Sequence, residues 1–269
     1  MINDFKNLDF SKYKRVFSFG CSFTSYRWPT WADLIGRSQC TNAEFINLGR
    51  AGAGNQYITT QLVQANLKYK FNADDLVMVM FTGYTREDRY LNNQWITPGN
   101  IYTQGFYPND YVEKYADVKG FAMRDLTLAE FAYSYLETSE SDAIVLQSVP
   151  GNFAGNDYTN VLELHKELLT EKMPISVYES VVYNPTKPGY WECGAYYYDS
   201  GQTHLKEKYG DYHPSPLKYY QYLVNIGIPL NDQALQYAQE SADKLAACET
   251  LDEIQQTWIG YENFSRHII

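Results

Sequence analysis

The sequence predicts an α/β protein: a three-layer α/β/α sandwich around a central parallel sheet, followed by a C-terminal helical extension. Short apolar runs at Val16–Phe19, Phe45–Leu48, Leu76–Phe81 and Ala143–Val149 read as strands. Helix-period segments lie between them, and that alternation is the pattern of a parallel sheet covered on both faces. Glycine turns follow the first two runs directly, at Gly20 and at Gly49–Gly54.

The elements follow in order. Val16, Phe17 and Phe19 make a buried strand that stops at Gly20. The first helix spans Pro29–Ile35, with Pro29 or Thr30 near its start. Phe45–Leu48 runs into the turn Gly49-Arg50-Ala51-Gly52-Ala53-Gly54-Asn55. From Gln56 to Lys70, apolar Ile58, Leu62, Val63, Ala65 and Leu67 recur at helical spacing. Leu76–Phe81 is continuously apolar after Asp74-Asp75, as a central strand buried on both faces must be. Thr85–Gly120 breaks the rhythm: polar, aromatic and punctuated by Gly and Pro, it is expected to be an elaborated loop beside the strand ends. Leu126–Leu136 and Asn160–Thr170 are helical in pattern, with a further strand expected at Ile175–Tyr178. Tyr183–Tyr209 shows no period and is expected to be a long loop region. Pro216–Val224 is a helix, and Asp232–Cys248 and Leu251–Ile259 form the extension. The expected division is residues 1–228 for the α/β/α domain and 229–269 for the helical extension.

Composition narrows the function. The chain has 269 residues, 45% of them hydrophobic, enough for one sizeable core. A net charge of −10 with no basic stripe argues against nucleic acid as partner. The amino terminus lacks the apolar stretch of a secretory signal, and no run is long enough to span a membrane, so the expected location is cytoplasmic. Cys21, Cys40, Cys193 and Cys248 never form CxxC and are expected to be free thiols. Tyrosine is abundant, at 26 residues. Such rings suit mixed polar and apolar ligands, and equally suit half-buried loops.

The chemistry-bearing residues lie at two ends of the chain. Ser22 follows the first strand, where open α/β sheets place their ligand sites. Asp211-Tyr212-His213-Pro214 sets a carboxylate and an imidazole two residues apart, ahead of a helix. A serine hydroxyl is a weak nucleophile until a base takes its proton, and the base needs a group to orient it. Neighbours in an extended turn point opposite ways, so Cys21 is expected to pack inward while Ser22 faces the cleft. The Gly49–Gly54 run is no dinucleotide loop, because it follows the second strand and lacks the GxGxxG order.

These blocks resemble the SGNH/GDSL hydrolase family of esterases and lipases, including phage and bacterial members with Gly-Cys-Ser-Phe-Thr and Asp-x-His-Pro. The resemblance spans roughly Arg15–Val224. It implies a flavodoxin-like sheet, a serine esterase and no cofactor, acting on a small-molecule or carbohydrate ester. Gly20-Cys21-Ser22-Phe23-Thr24 matches the nucleophile turn, which makes Ser22 the nucleophile. Asn47-Leu48-Gly49-Arg50-Ala51-Gly52 matches the Asn-x-Gly-x-x-Gly block, and Gly52 would lend its N–H to the oxyanion hole beside that of Ser22, with Gly54 the alternative. His213 is carried over as the base and Asp211 as its partner, on a spacing one residue shorter than the family's; Asp199 or a backbone carbonyl could orient the ring instead. The family's Gly-x-Asn-Asp block departs further: Tyr84 stands where the asparagine falls, leaving Thr82, Thr85 or Arg86 as third donor.

Four other readings stand beside this one. Tyr84 and the shortened Asp-x-His suit a binding module on the same scaffold. His204, Asp211 and His213, with Asp199, are metal-capable types, but no HExxH or Cys/His spacing supports a metal site. Arg86-Glu87-Asp88-Arg89 reads as a solvated charge cluster, or as an anchor for a substrate carboxylate. Asn263-Phe264-Ser265 is a glycosylation sequon without meaning inside a cell.

Overall fold

The computed structural model describes residues 1–2, 4–103, 105–149, 159–182 and 213–258. Four parallel strands form the central sheet: β1 (Arg15–Phe19), β2 (Glu44–Asn47), β3 (Asp75–Phe81) and β6 (Asp142–Gln147), in the order β2-β1-β3-β6. Helices pack against this sheet, which gives the α/β/α architecture. The order reverses between β1 and β3, both of whose chains leave at the same carboxyl edge. Such a switch point opens a crevice there, and ligands of open α/β sheets bind in it.

Local chemistry sets each element. All seven residues of β3 are buried, as befits a strand covered on both faces. At the opposite end of the sheet, Arg15 forks onto buried Asp75, with Nε and Nη2 each 2.7 Å from a carboxylate oxygen, and so fixes the β1–β3 register. Helix α1 (Trp31–Asp33) starts with a capping box, in which the Thr30 N–H donates to the Asp33 carboxylate and the Thr30 side chain accepts from the Asp33 N–H, and it continues as a π-helical turn over Leu34–Gln39. Helix α2 (Asn55–Tyr69) ends at Lys70, which takes a left-handed conformation. Helix α4 (Val118–Glu137) extends well before the expected Leu126, because Asp117 caps it by accepting from the Lys119 N–H.

The structure revises two expectations. Thr85–Gly120 is not merely a loop: it holds a hairpin of β4 (Arg89–Leu91) and β5 (Gln94–Ile96), then helix α3 (Asn109–Tyr115). Ile175–Tyr178 is not a strand either. Ser176 and Glu179 form a reciprocal capping box, each bonding the other's backbone or hydroxyl, and a π-helical turn over Tyr178–Val182 follows. Helix α5 (Thr159–Leu164) covers the start of the helix expected at Asn160–Thr170, which continues as a π-helical turn over Leu168–Lys172.

Helix α6 (Pro216–Asn225) begins with proline at its first position and Ser215 as cap. Helices α7 (Asp232–Ala247) and α8 (Leu251–Thr257) follow. Ala238 of α7 joins the main core, whereas Trp28, Leu245, Cys248, Ile254 and Trp258 make a second, separate apolar cluster. No helix among the described residues is long and apolar enough to cross a membrane. Cys21 and Cys40 are free thiols; Cys193, the Tyr183–Tyr209 region and the Asn263 sequon lie outside the described residues.

Candidate active site

Ser22 sits in the tight turn that follows β1. The Thr24 and Ser25 N–H groups both donate back to the Cys21 carbonyl, curling the chain at once. Gly20 allows this curl: a Cβ there would lie 2.0 Å from Thr24 Oγ1. Thr24 then ties three segments together. Its carbonyl accepts from Asn47 Nδ2 at 2.8 Å and from Thr30 Oγ1 at 2.8 Å, and Asn47 Oδ1 accepts from the Gly49 N–H. The Arg50 N–H reaches the Gly20 carbonyl at 2.9 Å, which docks the glycine turn against the serine turn.

His213 arrives from the other end of the sequence. Its Nε2 lies 2.7 Å from Ser22 Oγ, although the two residues are 191 positions apart. The imidazole is held between aromatic rings: Tyr26 stacks on it with centroids 3.7 Å apart and planes 21° apart, and Phe23 packs at 5.2 Å. Ser22 is 6% exposed and Cys21 is completely buried, so the thiol packs inward. Asp211, Asp199 and His204 lie outside the described residues. Among the described residues no three His, Cys, Asp or Glu side chains cluster as metal ligands would.

The remaining sequence candidates divide by what their polar groups already hold. Neither the Ser22 nor the Gly52 N–H donates to an acceptor among the described residues. Gly52 takes φ +76°, and a Cβ on it would lie 2.1 Å from the Thr97 carbonyl oxygen, so only glycine fits between this turn and the hairpin segment. The Gly54 N–H, by contrast, is spent on Asp88 at 2.8 Å. The Thr82 N–H donates to Asn55 Oδ1 at 2.8 Å, and Arg86 Nη1 donates to the Ala53 carbonyl at 3.0 Å. Tyr84 is nearly buried, and its carbonyl accepts from the Arg86 N–H and from Arg124 Nη2.

The Arg86–Arg89 cluster is structural rather than solvated. Asp88 is 4% exposed and its carboxylate caps α2, accepting from the Gly54 and Tyr57 N–H groups. Glu87 bridges Arg89 and Arg124. Behind them lies an acid that sequence reasoning did not single out. Asp125 is fully buried against Arg124 Nε at 2.6 Å and Asn55 Nδ2 at 3.2 Å. Burial outweighs those partners and pushes its carboxyl up to about 7. Burial also raises the Asp88 carboxyl, against the two N–H groups it accepts. Asn55, Thr82, Tyr84 and Asp125 line a cavity of about 20 Å³ next to the carboxyl end of β3.

No family model matches the chain, and no curated protein does. Several solved structures do. A member of the lipolytic G-D-S-L family from Veillonella parvula shares 13% identity and a TM-score of 0.38, over 78% of this chain and 96% of that one. The lipase/acylhydrolase from Enterococcus faecalis shares 16% identity and a TM-score of 0.35, over 71% and 90%. A carbohydrate acetylesterase from Sinorhizobium meliloti shares 13% identity and a TM-score of 0.33, over 87% and 99%. Likenesses this distant do not bear on what this chain acts upon.

Proposed function

We propose that the protein is a serine ester hydrolase in the manner of the SGNH/GDSL family, with Ser22 as nucleophile and His213 as base. The observation that carries this is the 2.7 Å approach of His213 Nε2 to Ser22 Oγ at the switch point between β1 and β3. Unprotonated Nε2 accepts the serine proton as Oγ attacks the ester carbonyl. The resulting imidazolium gives that proton to the departing alkoxide, leaving an acyl group on Ser22. A water, deprotonated by the same nitrogen, then attacks the acyl carbonyl and frees the acid and Ser22.

The developing oxyanion needs donors in place beforehand. The Ser22 and Gly52 N–H groups are assigned that role. Of the three candidates for a third donor, Thr82, Thr85 and Arg86, the Thr82 N–H and Arg86 Nη1 are engaged elsewhere, and this reading assigns the hole two donors. Losing one donor costs about 10²–10³ in turnover, and a modest rate is therefore expected. Asp211 is assigned to orient Nδ1 of His213. The substrate is a carboxylic ester of a small molecule or a carbohydrate, an O-acetyl sugar among them, since mixed polar and apolar ligands suit tyrosine-rich surroundings. The same two-donor hole favours a second reading, a binding module on this scaffold.

Hydrolysis of p-nitrophenyl acetate by the wild type and Ser22→Ala tests the proposal. Turnover by the wild type, abolished in the variant, is expected. Equal turnover in both would remove Ser22 as nucleophile. A wild type inert to every short-chain ester would favour the binding module.

A further inference from the structure

We propose that Trp28 is a positioning residue for His213, and that the C-terminal helices α7 and α8 are the clamp that holds it. This rests on His213 being the base of the proposed reaction. Trp28 is completely buried, six residues beyond the nucleophile. Its Nε1–H donates at 2.9 Å, across 186 positions of sequence, to the carbonyl of Pro214, the residue immediately after His213. Pro214 is buried, and a buried carbonyl left without a donor is costly, so this bond pins the chain that presents the imidazole.

A second route runs through Tyr26. Its ring stands edge-on to Trp28, with centroids 4.7 Å apart and planes 88° apart, and lies flat against His213 at 3.7 Å. Trp28 therefore bears on His213 from its backbone and from the face of its ring. Trp28 itself does not pack into the main core. It is seated in the separate cluster of Leu245, Cys248, Ile254 and Trp258, with Tyr26 and Leu251 against it. The extension beyond the sheet thereby reaches the catalytic pair through one indole. Nucleophile and base must hold their geometry closely, since a displacement of about 1 Å costs about 10²-fold in rate.

The test compares full-length Trp28→Phe, Tyr26→Leu, Ile254→Ala and, as a control for lost stability alone, Leu136→Ala in the main core. Two readouts are taken: kcat and KM for p-nitrophenyl acetate, and the ring resonances of His213, shifted by the stacked Tyr26 and assigned with His213→Gln. Trp28→Phe keeps an aromatic ring in the cluster and removes the donor together with the pyrrole half of the indole. It is expected to lower kcat about tenfold or more at a KM within about twofold of wild type, and to move the His213 resonances. Tyr26→Leu, at a half-buried position, is expected to do the same, and Ile254→Ala to follow in smaller measure. Leu136→Ala is expected to lower Tm and alter neither readout. Wild-type kcat and resonances in Trp28→Phe would overturn the proposal, as would an equal loss of kcat in Leu136→Ala. An unaffected Ile254→Ala would remove the clamp. If the wild type hydrolyses nothing, a shifted His213 resonance in Trp28→Phe still supports the positioning role while the esterase reading fails.

Discussion

The Asn55 side chain holds both backbone groups of Thr82: its Oδ1 accepts the Thr82 N–H at 2.8 Å and its Nδ2 donates to the Thr82 carbonyl at 3.0 Å. The start of α2 is thus welded to the end of β3, beside the crevice that Ser22 faces. Thr82 and Asn55 are both buried, so neither backbone group can turn to water instead. Asn55→Ala is expected to destabilise the fold by about 3 kcal/mol, read from the shift of the urea midpoint at unchanged m-value.

Gly52 combines a left-handed backbone with a contact that no side chain can share. Gly52→Ala must move either the glycine turn or the hairpin segment at Thr97, and with it the N–H assigned to the oxyanion. Turnover of p-nitrophenyl acetate is expected to fall by about 10² or more, with a smaller change in KM. Near wild-type kcat in a folded variant would remove Gly52 from the oxyanion hole.

Asp125 makes stability depend on pH. Its carboxyl is raised to about 7 by burial, while an unfolded chain titrates it near its ordinary value of 3.8. Between those values the native state binds the extra proton. Its contribution is therefore full below about pH 4 and is lost as pH rises through about 7. Asp125→Asn, which keeps a neutral polar group in place, is expected to flatten the decline of stability from pH 4 to 7. The difference between the two proteins is at most about 1.4 kcal/mol per pH unit. Parallel curves from denaturant titrations across that range would contradict the assignment.

Cys21 adjoins the proposed nucleophile yet is completely buried. Cys21→Ala removes only an inward-packed thiol, and its kcat is expected to stay within about threefold of wild type. Iodoacetamide is likewise expected to leave the native protein's turnover of p-nitrophenyl acetate unchanged. Inactivation by that reagent, relieved in Cys21→Ala, would make the thiol the reactive group.

Much of the architecture is legible in the sequence because its strands are of the kind that sequence marks best. Leu76–Phe81 is apolar throughout since both faces are covered, and Val16–Phe19 stops at a glycine that a tight turn demands. Ser22 and His213 stand in short blocks whose residue types the chemistry dictates, and the fold brings these two side chains together. The segment 85–120 was harder to read. Its hairpin and helix α3 are short and largely exposed, so no apolar period announces them. The capping box Ser176–Glu179 was visible as S-x-x-E but was masked by the β-branched residues beside it. Asp88 and Asp125 gave no local sign of burial, because their partners, the α2 N-terminus and Asn55, are distant in sequence. The stacking of Tyr26 and the hydrogen bond of Trp28 are equally nonlocal.

Covalent labelling with a fluorophosphonate, followed by tryptic digestion and fragmentation of the peptide Val16–Arg27, tests the central claim most directly. The account predicts one adduct, on Ser22, absent in Ser22→Ala and formed at least about 10²-fold more slowly in His213→Gln. An adduct on another residue, or a rate of labelling indifferent to His213, would contradict it.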